Sequence, residues 1–213
     1  QEYHFKVLFL ILQKIGYEWA KNCYHLSYGM VELPEGKMKS REGTVVDADD
    51  IMQAMADTAK ELTEELGKLE GLENSEKEGL YETIGMSALK YFLLKVDPKK
   101  NMLFNPKESI DFNGHTGPFI QYAHARIQSV LRNIKGEFIF DLANIKVDEY
   151  ERRVHFKIHS FPKLIEEAAA EYSPAILANY TFDLVKDFNS FYQNSSILHA
   201  ETEDLKNYRA LLA

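Results

Sequence analysis

The chain has 213 residues, of which 45% are hydrophobic and 12% aromatic, and its formal net charge is -8 at pH 7. This composition excludes a disordered chain. The negative balance excludes a general polyanion binder, because nonspecific nucleic-acid affinity comes mainly from Lys and Arg. One cysteine, Cys23, excludes an internal disulfide and a multi-cysteine zinc site. No segment approaches the roughly 20 apolar residues that span a bilayer, so we expect a cytoplasmic protein without membrane contact.

The first part of the chain has the order helix, strand, loop, which is typical of an α/β nucleotide-binding domain. Residues Phe5 to Ile15 are apolar nearly all round and end before Gly16, which predicts a short helix buried on several sides. From Tyr24 to Met30, large apolar residues alternate with small or polar ones, which predicts a strand. Pro34 and the residues after it then supply turn chemistry.

A short cationic loop follows this strand. Its sequence, Gly36-Lys37-Met38-Lys39-Ser40-Arg41-Glu42-Gly43, places three cations and a hydroxyl between two glycines. Cations on a loop with glycine hinges can neutralise the charge that develops on phosphate oxygens during nucleotidyl transfer. A solvated turn can have the same composition, so the residue types alone leave both interpretations open.

Beyond the loop, the hydrophobic pattern changes to a helical period. One helix is predicted to begin at Asp47, whose carboxylate can cap it. Ser75 and Glu78 have the spacing of a capping box and predict the start of a second helix, which ends before Pro98. Residues 99–113 are predicted as a connector with room for a strand around 102–104.

The segment beyond residue 115 is predicted to be a helical bundle. Pro118 suits the first turn of a helix that runs from Gly117 to about Ile134. A mixed connection over 136–157 leads to helices that begin at Ser160 and Ser173, and a last helix covers 205–213. A basic run fits either a solvated face or an RNA contact; its members are Arg152, Arg153, His155, Lys157, His159 and Lys163.

Three segments resemble class I aminoacyl-tRNA synthetases, and the arginyl branch in particular. Leu33 to Asp47 is similar to the lysine-methionine-serine-lysine-serine signature and its flanks in that branch. Gly114 to Ile127 resembles the motif that starts the first helix of the arginyl family's anticodon-binding domain. Tyr172 to Tyr192 is similar to the helical anticodon-binding domain shared by the arginyl and cysteinyl enzymes. The resemblance covers nearly the whole chain.

The resemblance implies a role for each position of the cationic loop. The first lysine of the signature contacts the ATP phosphates, and it corresponds to Lys37. Ser40 stands where the signature has its second lysine, so Lys39 and Arg41 share the candidacy for the second catalytic cation. Met38 and Ser40 are further candidates for ATP binding.

Residues outside the loop acquire candidate roles in the same way. Gln1 corresponds to a glutamine that lines the amino-acid pocket of the family. Gln121, Tyr122 and Arg126 are large polar or aromatic groups near a helix start, able to stack on a splayed base or hold a backbone phosphate. They are the candidates for tRNA binding, and no residue is a candidate metal ligand.

The implied fold is mainly α. Residues 1–46 would be the end of a class I α/β (Rossmann-like) catalytic domain, 47–113 a helical connecting region, and 114–213 a helical anticodon-binding domain truncated at its C-terminus. The intact enzyme would be a monomeric arginine–tRNA ligase that uses ATP, Mg²⁺, arginine and tRNA(Arg). The family's other ATP signature, His-Ile-Gly-His, is absent, so we expect the 213 residues alone to be inactive.

Two alternatives stay open at this point. A cysteinyl-type class I synthetase would share the bundle and a similar loop, but it should not carry the motif from Gly117 to Arg126. A non-catalytic helical module that binds RNA or protein would explain the bundle equally well. It would leave the cationic loop without a purpose.

Overall fold

The computed structural model describes residues 1–32, 47–65, 71–134 and 138–213. These ranges are mainly helical, as predicted, with one two-stranded sheet among the described residues. The cationic loop, with Lys37, Met38, Lys39, Ser40 and Arg41, lies outside them. The helices are α1 (Glu2–Lys14), α2 (Ala48–Glu65), α3 (Asn74–Leu94), α4 (Pro106–Ser109), α5 (Gly117–Arg132), α6 (Glu149–Ala170), α7 (Pro174–Asn194) and α8 (Glu203–Leu212), and the strands are β1 (Val31–Glu32) and β2 (Met102–Leu103).

Helix α1 is present, but the burial predicted for it is not seen among the described residues. It has no buried residue, and Leu10 is 57% exposed. Within the described part of the chain, α1 contacts mainly the 3₁₀ helix Glu18–Asn22, and Phe5 stacks on His25 at 4.1 Å between ring centroids. Most of its apolar surface therefore has no described neighbour.

The predicted strand from Tyr24 to Met30 is also wrong, because the paired residues are the two that follow it. Val31 pairs with Met102 and Glu32 with Leu103, in parallel. The preceding segment is held by isolated hydrogen bonds, such as that from the Gly29 N–H to the Pro98 carbonyl at 2.6 Å. Its residues alternate in exposure as predicted, but the large apolar ones face outward.

Helices α2 and α3 form a closely packed hairpin. Their core includes Met55, Ala59 and Ile84. A Cβ on Gly85 would lie 2.7 Å from the backbone of α2, so glycine permits this close approach. The predicted capping box is displaced by two residues: the carboxylate of Glu76 accepts from the Glu73 N–H at 2.9 Å.

Helices α5 to α8 form the predicted bundle, but α6 starts earlier than expected. Asp148 and Glu151 cap it reciprocally, with N–H···O distances of 2.9 and 2.7 Å, so Pro162 lies inside the helix and not at its start. A proline there removes one backbone donor. Near this point, the Tyr180 hydroxyl donates to the Lys157 carbonyl at 2.7 Å and so adds a bond between α6 and α7.

A buried ionic network attaches α8 to the bundle. The Nε of Arg209 donates to the Glu151 carboxylate at 2.6 Å, and the Glu151 side chain is fully buried. Arg209 also donates to the Ser196 carbonyl at 2.9 Å. Ser195 donates its hydroxyl to Asp148 at 2.6 Å, which connects the end of α7 to the same network.

Among the described residues, the bundle contacts the rest of the chain through α3, which packs on α5 and α7, and through the segment around Tyr24. The Tyr91 hydroxyl donates to the Ala178 carbonyl at 2.9 Å, which ties α3 to α7. Elsewhere, the Tyr24 ring stacks on Tyr172 with centroids 4.1 Å apart. Tyr172, in the turn between α6 and α7, has a φ of 51, which a non-glycine residue seldom adopts. No helix within the described ranges is long and apolar enough to cross a membrane.

Candidate nucleic-acid interface

The start of α5 is fixed by close packing. Thr116 is its N-cap, and Pro118 occupies its first turn. A Cβ on Gly117 would lie 2.4 Å from the Ser87 carbonyl oxygen, so only glycine permits α5 to lie this close to α3. This packing sets the direction in which the polar side chains of the next turns point.

Arg126 lies between two tyrosine rings on the bundle surface. Its guanidinium carbon is 4.9 Å from the ring centroid of Tyr122 on α5 and 4.8 Å from that of Tyr192 on α7. Its Nη1 donates to the Asn189 side-chain carbonyl at 2.6 Å. The two rings are 47% and 38% exposed. The guanidinium is therefore held in one orientation while aromatic surface stays open to solvent.

This cluster has the chemistry required to bind an unpaired base. An exposed tyrosine ring offers a stacking surface to any base, and a neighbouring guanidinium attracts phosphate. Arg126 has five N–H donors, and one of them is committed to Asn189 in the described structure. The remaining donors can meet an incoming nucleotide without breaking the bond that orients the side chain.

Gln121 lies apart from this cluster, although it is adjacent to Tyr122 in sequence. Its Nε2 is 3.4 Å from the Thr83 carbonyl oxygen on α3. Its Oε1 is buried and has no hydrogen-bond partner among the described residues. The arrangement favours a role in packing α5 against α3, and direct RNA contact by Gln121 stays a prediction.

Of the residues predicted for the ATP and amino-acid sites, Gln1, the candidate for the amino-acid pocket, lies within the described ranges. Gln1 is exposed and directly precedes α1, and its carbonyl accepts from the Phe5 N–H at 3.2 Å. The strand β1 ends at Glu32, just before the range that contains the loop. Pairing of β1 with β2 continues through the bond from the Phe104 N–H to the Glu32 carbonyl at 2.7 Å. This pairing fixes the point from which the loop region departs.

Burial disfavours the charged forms of the side chains at the contact between α3, α5 and α7. Burial lowers the pKa of Lys95, whose Nζ donates to the His115 carbonyl at 2.8 Å. Burial and the nearby Lys95 charge lower the pKa of His115, and burial raises the pKa of Tyr91. These shifts favour the neutral forms, as expected for a packing contact. Within the described ranges, no group of three or more His, Cys, Asp or Glu side chains is placed to hold a metal ion.

Sequence reasoning missed two members of the cluster. Tyr192 and Asn189 are not among the residues that the sequence singles out as candidates for RNA binding. They approach Arg126 only because α5 and α7 pack side by side. Their spacing along α7 gives no sign of a contact with Arg126 on α5. The contact between Tyr122 and Arg126 is different, because a spacing of four residues on one helix indicates it.

Family models match both parts of the chain. The model described as "tRNA synthetases class I (R), catalytic domain" matches residues 1–105. The model described as "DALR anticodon binding domain" matches residues 120–213, which include the whole Tyr122, Arg126 and Tyr192 cluster.

Similar proteins agree with these models. The chain is 58% identical over 213 residues to the arginine–tRNA ligase of Flavobacterium psychrophilum and 56% identical over 217 residues to that of Bacteroides thetaiotaomicron. Each alignment covers 100% of this chain but 35% and 36% of the relative, so the chain spans about a third of their length. The Thermus thermophilus arginyl-tRNA synthetase structure superposes with a TM-score of 0.82 at 29% identity, over 94% of this chain and 34% of that one. The Plasmodium falciparum arginyl-tRNA synthetase structure shares the fold, with a TM-score of 0.78 at 24% identity, over 98% of this chain and 35% of that one.

Proposed function

Because the chain belongs to the class I arginyl-tRNA synthetase family, we propose that it supplies two parts of an intact arginine–tRNA ligase. These are the phosphate-binding loop of the catalytic site and the bundle that binds the tRNA anticodon. The observation that carries the proposal is the succession of a class I (R) catalytic match and an anticodon-binding match along one chain. The relatives named above are arginine ligases, which favours this function over a cysteinyl enzyme, and the catalytic match disfavours a purely binding module.

The proposed reaction has two steps. The arginine carboxylate attacks the α-phosphate of ATP, which gives arginyl-adenylate and releases pyrophosphate; Mg²⁺ enters with the ATP phosphates. The arginine is then transferred from the adenylate to the 3′-terminal adenosine of tRNA(Arg), and AMP is released. Lys37, with Lys39 or Arg41, would stabilise the negative charge on the phosphates in the first step. Met38 and Ser40 would complete the loop around the phosphates, and Gln1 would border the arginine pocket.

The RNA-binding part of the proposal depends on the tyrosine–arginine cluster. Arg126 is oriented before binding, so little conformational entropy is lost when a phosphate reaches it. Any of the four bases could stack on Tyr122 or Tyr192, because every base has a flat aromatic face. Support for this function comes from the open rings and the free guanidinium donors described above. We further propose a cytoplasmic, monomeric enzyme, as the family implies.

The two halves of the proposal can be tested separately in the intact protein. Lys37→Ala should lower the rate of ATP–pyrophosphate exchange at least 100-fold, which is about 2.7 kcal/mol of transition-state stabilisation, while the Kd for tRNA(Arg) changes little. Arg126→Ala should raise that Kd and leave arginine activation near its original rate. Arg132→Ala is the matched control, because Arg132 is an exposed arginine at the other end of α5.

Two results would contradict the proposal. Equal losses of exchange and tRNA affinity in Lys37→Ala would show that the loop is structural. Equal effects of Arg126→Ala and Arg132→Ala on tRNA affinity would show that the cluster has no special part in binding.

A further inference from the structure

The basic run on α6 separates into engaged and free side chains. Arg153 pairs with Glu149, Lys157 approaches Asp183 at 3.4 Å, and His155 is hydrogen-bonded to the Tyr208 hydroxyl at 2.7 Å. The other members have no side-chain hydrogen bond or ion pair with a described residue, and all are exposed; they are Arg152, His159 and Lys163. Half of the run is therefore available for an external ligand.

The free side chains share one face of α6 with an exposed phenylalanine. Steps of four, three and four residues place them in one row along the helix. We name this row the α6 outer stripe; it consists of Arg152, Phe156, His159 and Lys163. Phe156 is 70% exposed, more than any other aromatic residue described in the bundle. An exposed aromatic ring beside free cations offers a stacking surface next to positive charge.

We propose that the α6 outer stripe is a second RNA-binding surface, in which a base stacks on Phe156 and the flanking phosphates meet Arg152 and Lys163. The chemistry matches that of single-strand binding, which combines an aromatic platform with cations that follow the backbone. With a rise of about 1.5 Å per residue, Arg152 lies about 6 Å along the helix from Phe156, and Lys163 lies about 10 Å beyond it. These separations suit a strand of two or three nucleotides.

The exposed ring between free cations favours an RNA strand over an apolar protein segment. The shallow groove beside Phe156 is lined by Glu149, Arg152, Arg153, Lys157 and Asp187. Asp187 lies on α7, so phosphates should stay on the solvent side of α6, where the stripe is located. Glu149 is neutralised by Arg153. The stripe differs from the Tyr122 cluster because the groove lies between α6 and α7, whereas that cluster lies between α5 and α7.

The inference rests on the proposed RNA binding, and one set of measurements distinguishes the two. The Kd of the intact protein for a tRNA(Arg) transcript is measured by fluorescence anisotropy over a salt series. Phe156→Ala should raise the Kd about 5- to 150-fold, the range found when a base-stacking ring is removed. Arg152→Gln combined with Lys163→Gln should reduce the slope of log K against log salt by about 0.7 for each lost phosphate contact. Arg132→Gln, which removes an exposed cation at the end of α5 and outside the stripe, is the control and should leave the slope unchanged.

Each contrary outcome has a separate meaning. If Phe156→Ala and the double variant bind within twofold of the parent while Arg126→Ala binds weakly, the stripe inference is wrong and the proposed function stands. If none of these variants weakens tRNA binding, the proposed anticodon-binding function fails as well. If Phe156→Ala instead abolishes self-association detected by light scattering, without a change in RNA affinity, the stripe binds protein and the inference is overturned.

Discussion

Removal of Arg209 tests whether the buried ionic network holds α8 on the bundle. Arg209→Ala would leave the carboxylate of Glu151 without its cation, although that side chain is fully buried. It would also remove the donor to the Ser196 carbonyl. The bond between the Glu151 carboxylate and the Asp148 N–H would remain, at 2.7 Å, so the carboxylate would not lose all its partners.

The expected cost follows from these contacts. Removing one partner of a buried ion pair lowers the free energy of unfolding by about 3 to 5 kcal/mol, because the remaining charge stays desolvated. We expect the lower end, about 3 kcal/mol, since one backbone donor is retained. If amides in α8 exchange through local opening of that helix, this loss corresponds to roughly 150-fold faster exchange.

Hydrogen–deuterium exchange measured by mass spectrometry can resolve this effect in the intact protein. Peptides that cover Glu203–Leu212 should exchange faster in Arg209→Ala, while peptides from α2 should not change. Lys206→Ala is the matched control, because it removes an exposed pair with Glu203 on the same helix, and such pairs contribute little. If both variants accelerate exchange in α8 equally, the network does not hold the helix and the reasoning is refuted.

Three further predictions concern the scaffold of the site. Gly85→Ala should lower the thermal midpoint of unfolding, because its Cβ would lie 2.7 Å from the α2 backbone. Gly79→Ala on the same helix has open space around its Cβ and should raise the midpoint. Equal shifts in the two variants would disprove the packing argument. Burial raises the pKa of Asp148, but hydrogen bonds from its neighbours outweigh this and hold the pKa below the usual range. The contribution of the Asp148 carboxylate to stability is therefore complete above about pH 4 and is lost as pH falls through the folded-state pKa. Asp148→Asn should destabilise the protein at pH 7, and denaturant titrations should show that its free energy of unfolding depends less on pH in the acid range. An unchanged pH dependence would contradict the assignment. Tyr91→Phe should reduce the free energy of unfolding by about 1 kcal/mol, because a hydrogen bond from α3 to an α7 carbonyl is lost; urea unfolding with no loss would show that the bond does not stabilise the junction.

The sequence predicted the helices best where local chemistry determines their ends. Pro118 and Pro174 lie in the first turns of α5 and α7, as expected for residues that lack a backbone donor. The same argument fails at Pro162, because the sequence does not distinguish a proline inside a helix from one at the start of a helix. The stronger signal was the pair Asp148 and Glu151, which caps α6 from both sides.

Features that depend on distant parts of the chain were not predictable in this way. The apolar face of α1 gives no information on what covers it. The strand pairing at Val31 depends on residues near Met102, far along the chain. Likewise, Tyr122 and Arg126 were identified as candidates, but their contact with Tyr192 required the packing of α5 against α7.

The turn between α6 and α7 has a consequence for how firmly the bundle is attached. Holding Tyr172 at a φ of 51 costs about 1 kcal/mol or more. Its stack on Tyr24 returns about 0.5 to 1.5 kcal/mol beyond simple burial. That φ is set by the end of α6, where the Ser173 N–H donates to the Ala168 carbonyl at 3.0 Å, so opening the stack would not relieve its cost. Loss of the stack alone would be a small change, whereas separation of α3 from α5 and α7 would break several contacts, including the bond from Tyr91. Among the described residues, the bundle therefore has one firm attachment, through α3, and one weaker attachment at the tyrosine stack.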